Sequence, residues 1–527
     1  MGQAEIHDDG SSTLYVSIAS PPTPASSPPP TATFAGAPLP VCTTLSTAQP
    51  TLRMQYLANL LPTLTPTELL YVSTESAARL KRDFLLSLPP EISLQILDFI
   101  DDPRTLARAM QVSKHWATLF QDENIWLRMC TSWNFLDDGA PSSSFQRYFG
   151  RCYSTLQNWR RGPSSALIKA HAIFTYPRDE GSEVESGTPG VITSCALDDE
   201  WIVVGLANNR LHVFSCQTGV LARTLVGHTG GVWSVDPNMR SDPCSAAEGW
   251  GQPNALVVSG GCDKKLRVWD VKTGYCLHVL AGHRSTIRCI KVLHRQSIVI
   301  TGSRDATLRV WDIQHGKLLH VLEGHGNSVR CIDVAGDRVV SGSYDTTLRI
   351  WDVKTGKCLH ILAGHLQQIY CVVFDGVHVV SGGLDTTVRV WDAETGHCIA
   401  LLTGHSALVC QLQILQATTT KEPLLATGGS DGRVITYSLN TFHPVYRLAA
   451  HDSSVTSLQL DRYFLVTGGN DGHVRLFDSQ TGAPVRELSS PSDCVWRVCF
   501  LPTTRNVCVV MCRRHGRSVV EVWRFGK

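Results

Sequence analysis

Histidine, carboxylate and hydroxyl side chains recur together along this chain. His283, Thr301 and Asp305 precede Trp311; His325, Ser341 and Asp345 precede Trp351; His365, Ser381 and Asp385 precede Trp391. Such a trio could hand a proton from a hydroxyl nucleophile to a base, as hydrolases do. Repetition decides against it. An active site occurs once, whereas a network that satisfies buried polar groups recurs in every structural unit. No non-repeating nucleophile–base pair or metal-ligand cluster stands outside the pattern, so no catalysis, metal or cofactor is expected.

The elements that must position these groups follow from the spacing. Gly-His or Ala-His pairs at Gly227, Gly282, Gly324, Gly364, Gly404 and Ala450 open segments of about forty residues. Trp269-Asp270, Trp311-Asp312, Trp351-Asp352 and Trp391-Asp392 close four of them, and Phe477-Asp478 is a weaker closer. This period implies a β-propeller with one four-stranded blade per repeat. Third strands ending on Phe214, Trp269, Trp311, Trp351, Trp391, Tyr437, Phe477 and Trp523 predict eight blades over residues 165–527.

Positions that vary between blades point to a ligand. One register starts the first strand of each blade: Trp233, Arg288, Arg330, Tyr370, Cys410 and Thr456, with Trp496 in the last blade. A second precedes the turn Asp between the second and third strands: Cys262, Arg304, Tyr344, Leu384, Ser430 and Asn470. In a propeller both loops lie on one face, near the channel. Three arginines and two tyrosines therefore converge from the third to the fifth blade. Like charges repel, and an anion would neutralise them; the guanidinium fork suits phosphate oxygens. The competing reading pairs them with acidic residues of the same face, of which the two registers hold few. Trp233 and Leu384 offer apolar walls. Insertions at 237–253 and 417–423 fall between first and second strands, hence on the opposite face.

Composition limits the partners. Lys plus Arg number 47 against 46 Asp plus Glu, and a net charge of +1 predicts neither nucleic acid nor membrane. No apolar run is long enough to span a bilayer, and Glu5 and Asp8-Asp9 argue against a secretory leader. The 18 cysteines recur at repeat positions (Cys289, Cys331, Cys371; Cys276, Cys358, Cys398), which favours reduced core thiols over disulfides or zinc. Residues 1–50 are rich in Pro, Ser, Thr and Ala and are expected to be disordered. From 51 the pattern turns helical, with Leu57, Leu60, Leu61 and Leu64 on one face and Ile92, Ile96, Leu97 and Ile100 on another. Pro103 fits a helix start.

Residues 85–131 resemble an F-box through Leu88-Pro89-Pro90-Glu91-Ile92, Ile96-Leu97, Val112-Ser113-Lys114-His115-Trp116 and Ile125-Trp126. Asn158-Trp159-Arg160-Arg161-Gly162, in the stretch 132–164, resembles the linker that joins such a box to a WD-repeat propeller. Gly227–Trp233, Ser285-Thr286-Ile287-Arg288-Cys289, Gly302–Arg309, Val329-Arg330-Cys331, Ser343-Tyr344-Asp345 and Ile369-Tyr370 are similar to one branch of these proteins. That branch comprises the phosphodegron-reading F-box/WD-repeat receptors of cullin-RING ubiquitin ligases.

The resemblance implies a non-catalytic substrate receptor. Its F-box would dock on the cullin adaptor subunit through Leu88, Pro89, Ile92, Ile96, Leu97, Val112, Trp116 and Trp126. Arg288, Arg304 and Arg330 would hold the phosphate of a phosphothreonine. Trp233, Tyr344, Tyr370 and Leu384 would line the pocket for adjacent proline and aliphatic residues, with Ser285 and Thr286 beside them. Lys264 stands where the branch tends to carry Arg, so a peripheral phosphate contact is altered. Residues 51–84 resemble a dimerisation segment, which implies a homodimer, and the family implies nucleus and cytoplasm. Two other readings stay open: an F-box/WD-repeat receptor for a different degron, and a WD-repeat scaffold outside any ligase.

Overall fold

The computed structural model describes residues 50–80, 83–133, 135–136, 144–162, 168–172, 190–238, 255–293, 296–417, 422–489, 491–502 and 505–526. All of the tail expected to be disordered, 1–50, except Pro50, which opens a helix, and most of the two insertions lie outside them. Two compact units divide the chain, 1–89 and 90–527. In the first, helices α1 (Pro50–Leu60) and α2 (Pro66–Leu80) flank a short 3-10 turn.

The second unit carries eight four-stranded antiparallel sheets. Blade 1 spans 192–226, blade 2 232–281, blade 3 287–322, blade 4 329–363, blade 5 369–402, blade 6 409–449, blade 7 455–487 and blade 8 494–524. The third strands carry the residues expected of them, Trp523 included. Blade 8 takes its fourth, outermost strand from far upstream: Ile168–Ala172 pairs antiparallel with Arg517–Arg524, Ile168 opposite Trp523. The ring is thus closed by the earliest strand among the described residues. Nothing in the repeat pattern marks that strand.

Each blade packs on the one before. Trp311 of blade 3 lies in a cluster with Leu256, Val258, Leu266 and Ile287, so its ring fills the gap against blade 2. Trp351 and Trp391 do the same one and two blades on. The hairpins between second and third strands share one turn. Asp305 Oδ1 accepts from Thr307 N at 3.0 Å and Asp345 Oδ1 from Thr347 N at 2.9 Å. The residue between takes a left-handed backbone, φ 68° at Ala306, 70° at Thr346, 65° at Thr386 and 63° at Lys264.

The recurring polar set is a structural network. His283 Nδ1 meets Asp305 Oδ2 at 2.9 Å and its Nε2 meets Thr301 Oγ1 at 2.8 Å, while Trp311 Nε1 donates to the same hydroxyl at 2.9 Å. The arrangement repeats at His228, His325, His365, His405 and His451 with their Asp and Ser or Thr partners. Burial alone would raise the Asp305 carboxyl, but the bonds from His283 and Thr307 hold it below the usual range. Burial lowers His365 against the pull of Asp385. At His365, His405 and His451, where burial outweighs the carboxylate, the pair is a neutral imidazole on a carboxylate. Asp345→Ala should cost about 1–3 kcal/mol, because it strands a buried ring nitrogen. Denaturant unfolding measures the loss, and ligand binding by the folded fraction should not change.

Five helices precede the ring in the second unit: α3 (Pro90–Asp98), α4 (Pro103–Ala109), α5 (Lys114–Leu119), α6 (Glu123–Ser132) and α7 (Phe145–Arg161). Pro103 opens α4 as expected, capped by Asp102. The last helix is locked to the propeller. Trp159 is fully buried, stacked on Phe525 at 4.1 Å and Phe464 at 5.6 Å, with Phe500 edge-on at 5.3 Å. Its Nε1 donates to Arg505 O at 2.8 Å, Asn158 Nδ2 donates to Phe525 O at 2.6 Å, and Arg486 Nε donates to Trp159 O at 2.8 Å. Tyr463 also donates to the Trp133 carbonyl. Gly162 ends the helix at φ 103°, where a Cβ would strike Arg486.

Candidate functional site

Every inner strand begins with a bulge. In blade 3 Ile287 pairs with Ser303 and Cys289 with Gly302, leaving Arg288 as the extra residue. Arg330 is the extra residue in blade 4 and Tyr370 in blade 5; Trp233, Cys410, Thr456 and Trp496 are its counterparts. A bulged residue leaves the ladder and its side chain is re-aimed. The first register is therefore a ring of bulges. The second register is stitched to it by main-chain bonds: Arg304 N donates to Thr286 O at 2.9 Å, Tyr344 N to Ser328 O at 3.0 Å and Leu384 N to Gln368 O at 2.9 Å. Both registers thus share one face.

Blades 3 to 5 bring the predicted cluster together. Arg288 Nη1 donates to Tyr344 Oη at 3.3 Å, and its guanidinium carbon stands 5.6 Å from that ring's centre. Arg330 stands 5.7 Å over Tyr370, and the two tyrosine rings are 5.4 Å apart. A hydrogen bond to Tyr344, then burial, raises the Tyr370 hydroxyl above its ordinary value, so it remains a donor at neutral pH. Among the described residues no carboxylate forms an ion pair with Arg288, Arg304 or Arg330. The competing reading, arginines neutralised by their own face, thereby loses its partners.

The other predicted residues lie around this cluster. Arg304 and Leu384 are exposed, and Ser285 and Thr286 are half-buried beside Arg288. Trp233 is 51% exposed and donates to Cys262 Sγ at 3.0 Å within blade 2. Lys264, also exposed, occupies the left-handed turn of that blade. One hydroxyl escaped the sequence reading. Ser328 is buried, its Oγ has no hydrogen-bond partner among the described residues, and it precedes Arg330 as Thr286 precedes Arg288. That parallel was the signal.

The expected adaptor-binding residues divide. Pro89, Ile92, Ile96 and Val112 are exposed, while Leu88 and Trp116 are half-buried. Leu97 and Trp126 are corrected: both are interior, Leu97 1% exposed and Trp126 donating to Phe120 O at 2.7 Å. In this chain they help hold the small domain together. Leu88 and Pro89 belong to the first compact unit, the rest to the second.

Comparison with known proteins then assigns the two modules. An F-box-like family model matches residues 85–132, and a WD domain, G-beta repeat model matches 219–270, 274–312, 316–352, 356–392 and 442–478. The chain thus carries an F-box-like domain and WD repeats, the two modules of F-box/WD-repeat proteins. Among relatives of this F-box/WD-repeat chain, the WD repeat-containing protein pop1 of Schizosaccharomyces pombe is 27% identical over 40% of the chain. Cell division control protein 4 of Saccharomyces cerevisiae is 28% identical over 42%, and F-box/WD repeat-containing protein 7 of Drosophila melanogaster 35% over 32%. The matches span 26%, 27% and 13% of those proteins' own lengths. A crystal structure of the computationally designed Ika8 protein superimposes with a TM-score of 0.55 at 31% identity, over 64% of this chain and 97% of that one.

Proposed function

We propose that this F-box/WD-repeat chain is a substrate-recognition subunit of a cullin-RING ubiquitin ligase, with a propeller that binds phosphorylated Thr-Pro degrons. One observation carries it: Arg288, Arg304 and Arg330 stand on one rim beside two tyrosines with no carboxylate paired to them among the described residues. A phosphate brings about two negative charges and three acceptor oxygens, which that set satisfies. The exposed Ile92, Ile96 and Val112 would meet the cullin adaptor. Ubiquitin transfer would then be catalysed elsewhere in the complex, with this subunit supplying proximity. The relative named cell division control protein 4 supports substrates among cell-cycle proteins.

Peptide binding by the full chain tests this. A Leu-Leu-Thr-Pro-Pro peptide phosphorylated on Thr should bind, and weaken as salt rises, while the unphosphorylated form should bind at least tenfold less tightly, from about 1.5–3 kcal/mol per charge-assisted bond. Equal binding of both forms would overturn the phosphate reading and leave a receptor for another degron.

A further inference from the structure

The ligand proposed for the arginine rim has a counterpart in this chain. The sequence holds three Thr-Pro pairs, Thr23-Pro24, Thr65-Pro66 and Thr188-Pro189. Proline precedes the first and glycine the third, whereas Leu64 stands directly before Thr65. Leu60-Leu61-Pro62-Thr63-Leu64 therefore sets aliphatic residues upstream of a Thr-Pro step, the chemistry that the apolar Trp233 and Leu384 suit on the rim. Thr23 and Thr188 lie outside the described residues.

Thr65 is held in the open. It sits between the 3-10 turn Leu61–Thr63 and helix α2, Pro66–Leu80. Leu61, Thr65, Pro66, Thr67 and Glu68 are exposed, and Leu64 is half-buried. The Leu64 backbone is extended, φ −80° and ψ 141°, and a proline keeps the residue before it out of the helical region. The step Leu64-Thr65-Pro66 is thus already drawn out as a peptide lying across a rim must be.

A capping box holds that step to α2. Thr65 N and Oγ1 both donate to Glu68 Oε2, at 2.8 and 2.7 Å, and Leu69 N donates to Thr65 O at 2.9 Å. The Thr65 hydroxyl, and then its N–H, keep the Glu68 carboxyl below its usual range and so ionised. A phosphate on Thr65 would undo one arm of the box. The esterified oxygen has no proton to donate, and about two negative charges arrive beside a carboxylate. Glu68 is repelled, and the extended step loses a tether.

We propose, on the phosphate reading of the rim, that phosphorylated Thr65 is a ligand for the propeller of a second copy of this chain and excludes substrate from it. A proline-directed protein kinase supplies the group. Thr65 Oγ attacks the γ-phosphorus of ATP, the bond to the bridging oxygen breaks, ADP leaves, and the hydroxyl proton passes to the kinase's base. Arg288, Arg304 and Arg330 of the second copy take the phosphate oxygens, and Leu64 lies toward the apolar side chains beside them.

Fluorescence anisotropy with the unphosphorylated full chain compares a Leu60–Tyr71 peptide, with and without phosphate on Thr65, against the phosphorylated Leu-Leu-Thr-Pro-Pro peptide. The phosphorylated Thr65 peptide should bind and displace that reference. Its affinity should fall about tenfold or more on Arg330→Ala or on loss of the phosphate. Binding of the reference alone would overturn self-recognition and leave the phosphodegron reading standing; binding of neither would overturn both. Full chain made with phosphothreonine at Thr65 should also self-associate in sedimentation and bind the reference more weakly than unmodified chain. Arg330→Ala should abolish that self-association. Unchanged sedimentation and unchanged reference binding would overturn the proposal.

Discussion

Arg330→Ala should weaken binding of a phosphothreonine peptide roughly ten- to a hundredfold, and leave the unphosphorylated peptide where it was. The magnitude follows from one charge-assisted bond of about 1.5–3 kcal/mol at 1.4 kcal/mol per decade. Arg330 is the bulged residue of blade 4, so truncating it removes no ladder bond, and its guanidinium stands over Tyr370 without an ion-pair partner among the described residues. Stability should therefore change little. Arg330→Lys should recover only part of the loss, since an ammonium keeps the charge and loses the planar fork. Arg288 hydrogen-bonds Tyr344, whose ring lies on Tyr370, so the Arg288 and Arg330 substitutions should not be additive. Isothermal calorimetry of the single and double variants reads all three expectations. Equal loss of both peptide forms would assign Arg330 to the fold and not to the phosphate.

Trp159→Ala should destabilise the chain by about 3–5 kcal/mol, the range for removing a large aromatic from a packed interior. The ring fills a slot between Phe464, Phe500 and Phe525, and its loss also strands the carbonyl of Arg505. Because those contacts tie α7 to blades 7 and 8, the effect should go beyond a lower melting temperature. The small helical domain and the propeller should separate into two calorimetric transitions where the wild type shows one. A single transition at unchanged temperature would show that Tyr463, Asn158 and Arg486 suffice to hold the junction.

Repetition made the propeller and its candidate site legible. The same two positions could be read in blade after blade, so Arg288, Arg304, Arg330, Tyr344 and Tyr370 stood out as departures. What placed them together is a bulge at the start of each inner strand, and a bulge has no residue-type signature here, being occupied by Arg, Tyr, Trp, Cys and Thr alike. The F-box helices were harder. α3 is short, with Ile92 and Ile96 outside and Leu97 inside, and hydrophobicity alone does not tell a partner-facing side chain from a core one. Trp159 was visible only as part of a linker-like string, because its slot is built from residues over three hundred positions away.

The strand Ile168–Ala172 gives the order of synthesis a consequence. It emerges from the ribosome before any blade exists, yet its partner, Arg517–Arg524, follows every other strand of the ring. Seven blades can form in turn as they appear, but the circle stays open until Arg517–Arg524 has emerged. Until then the early strand has no mate and blade 8 is missing, which leaves unpaired edges exposed in a crowded cell. A chain cut short before Arg517 would make a propeller that can never close, however well its arginine face was built. Nascent chains of this protein should therefore lean on chaperones until the strands of blade 8 have emerged.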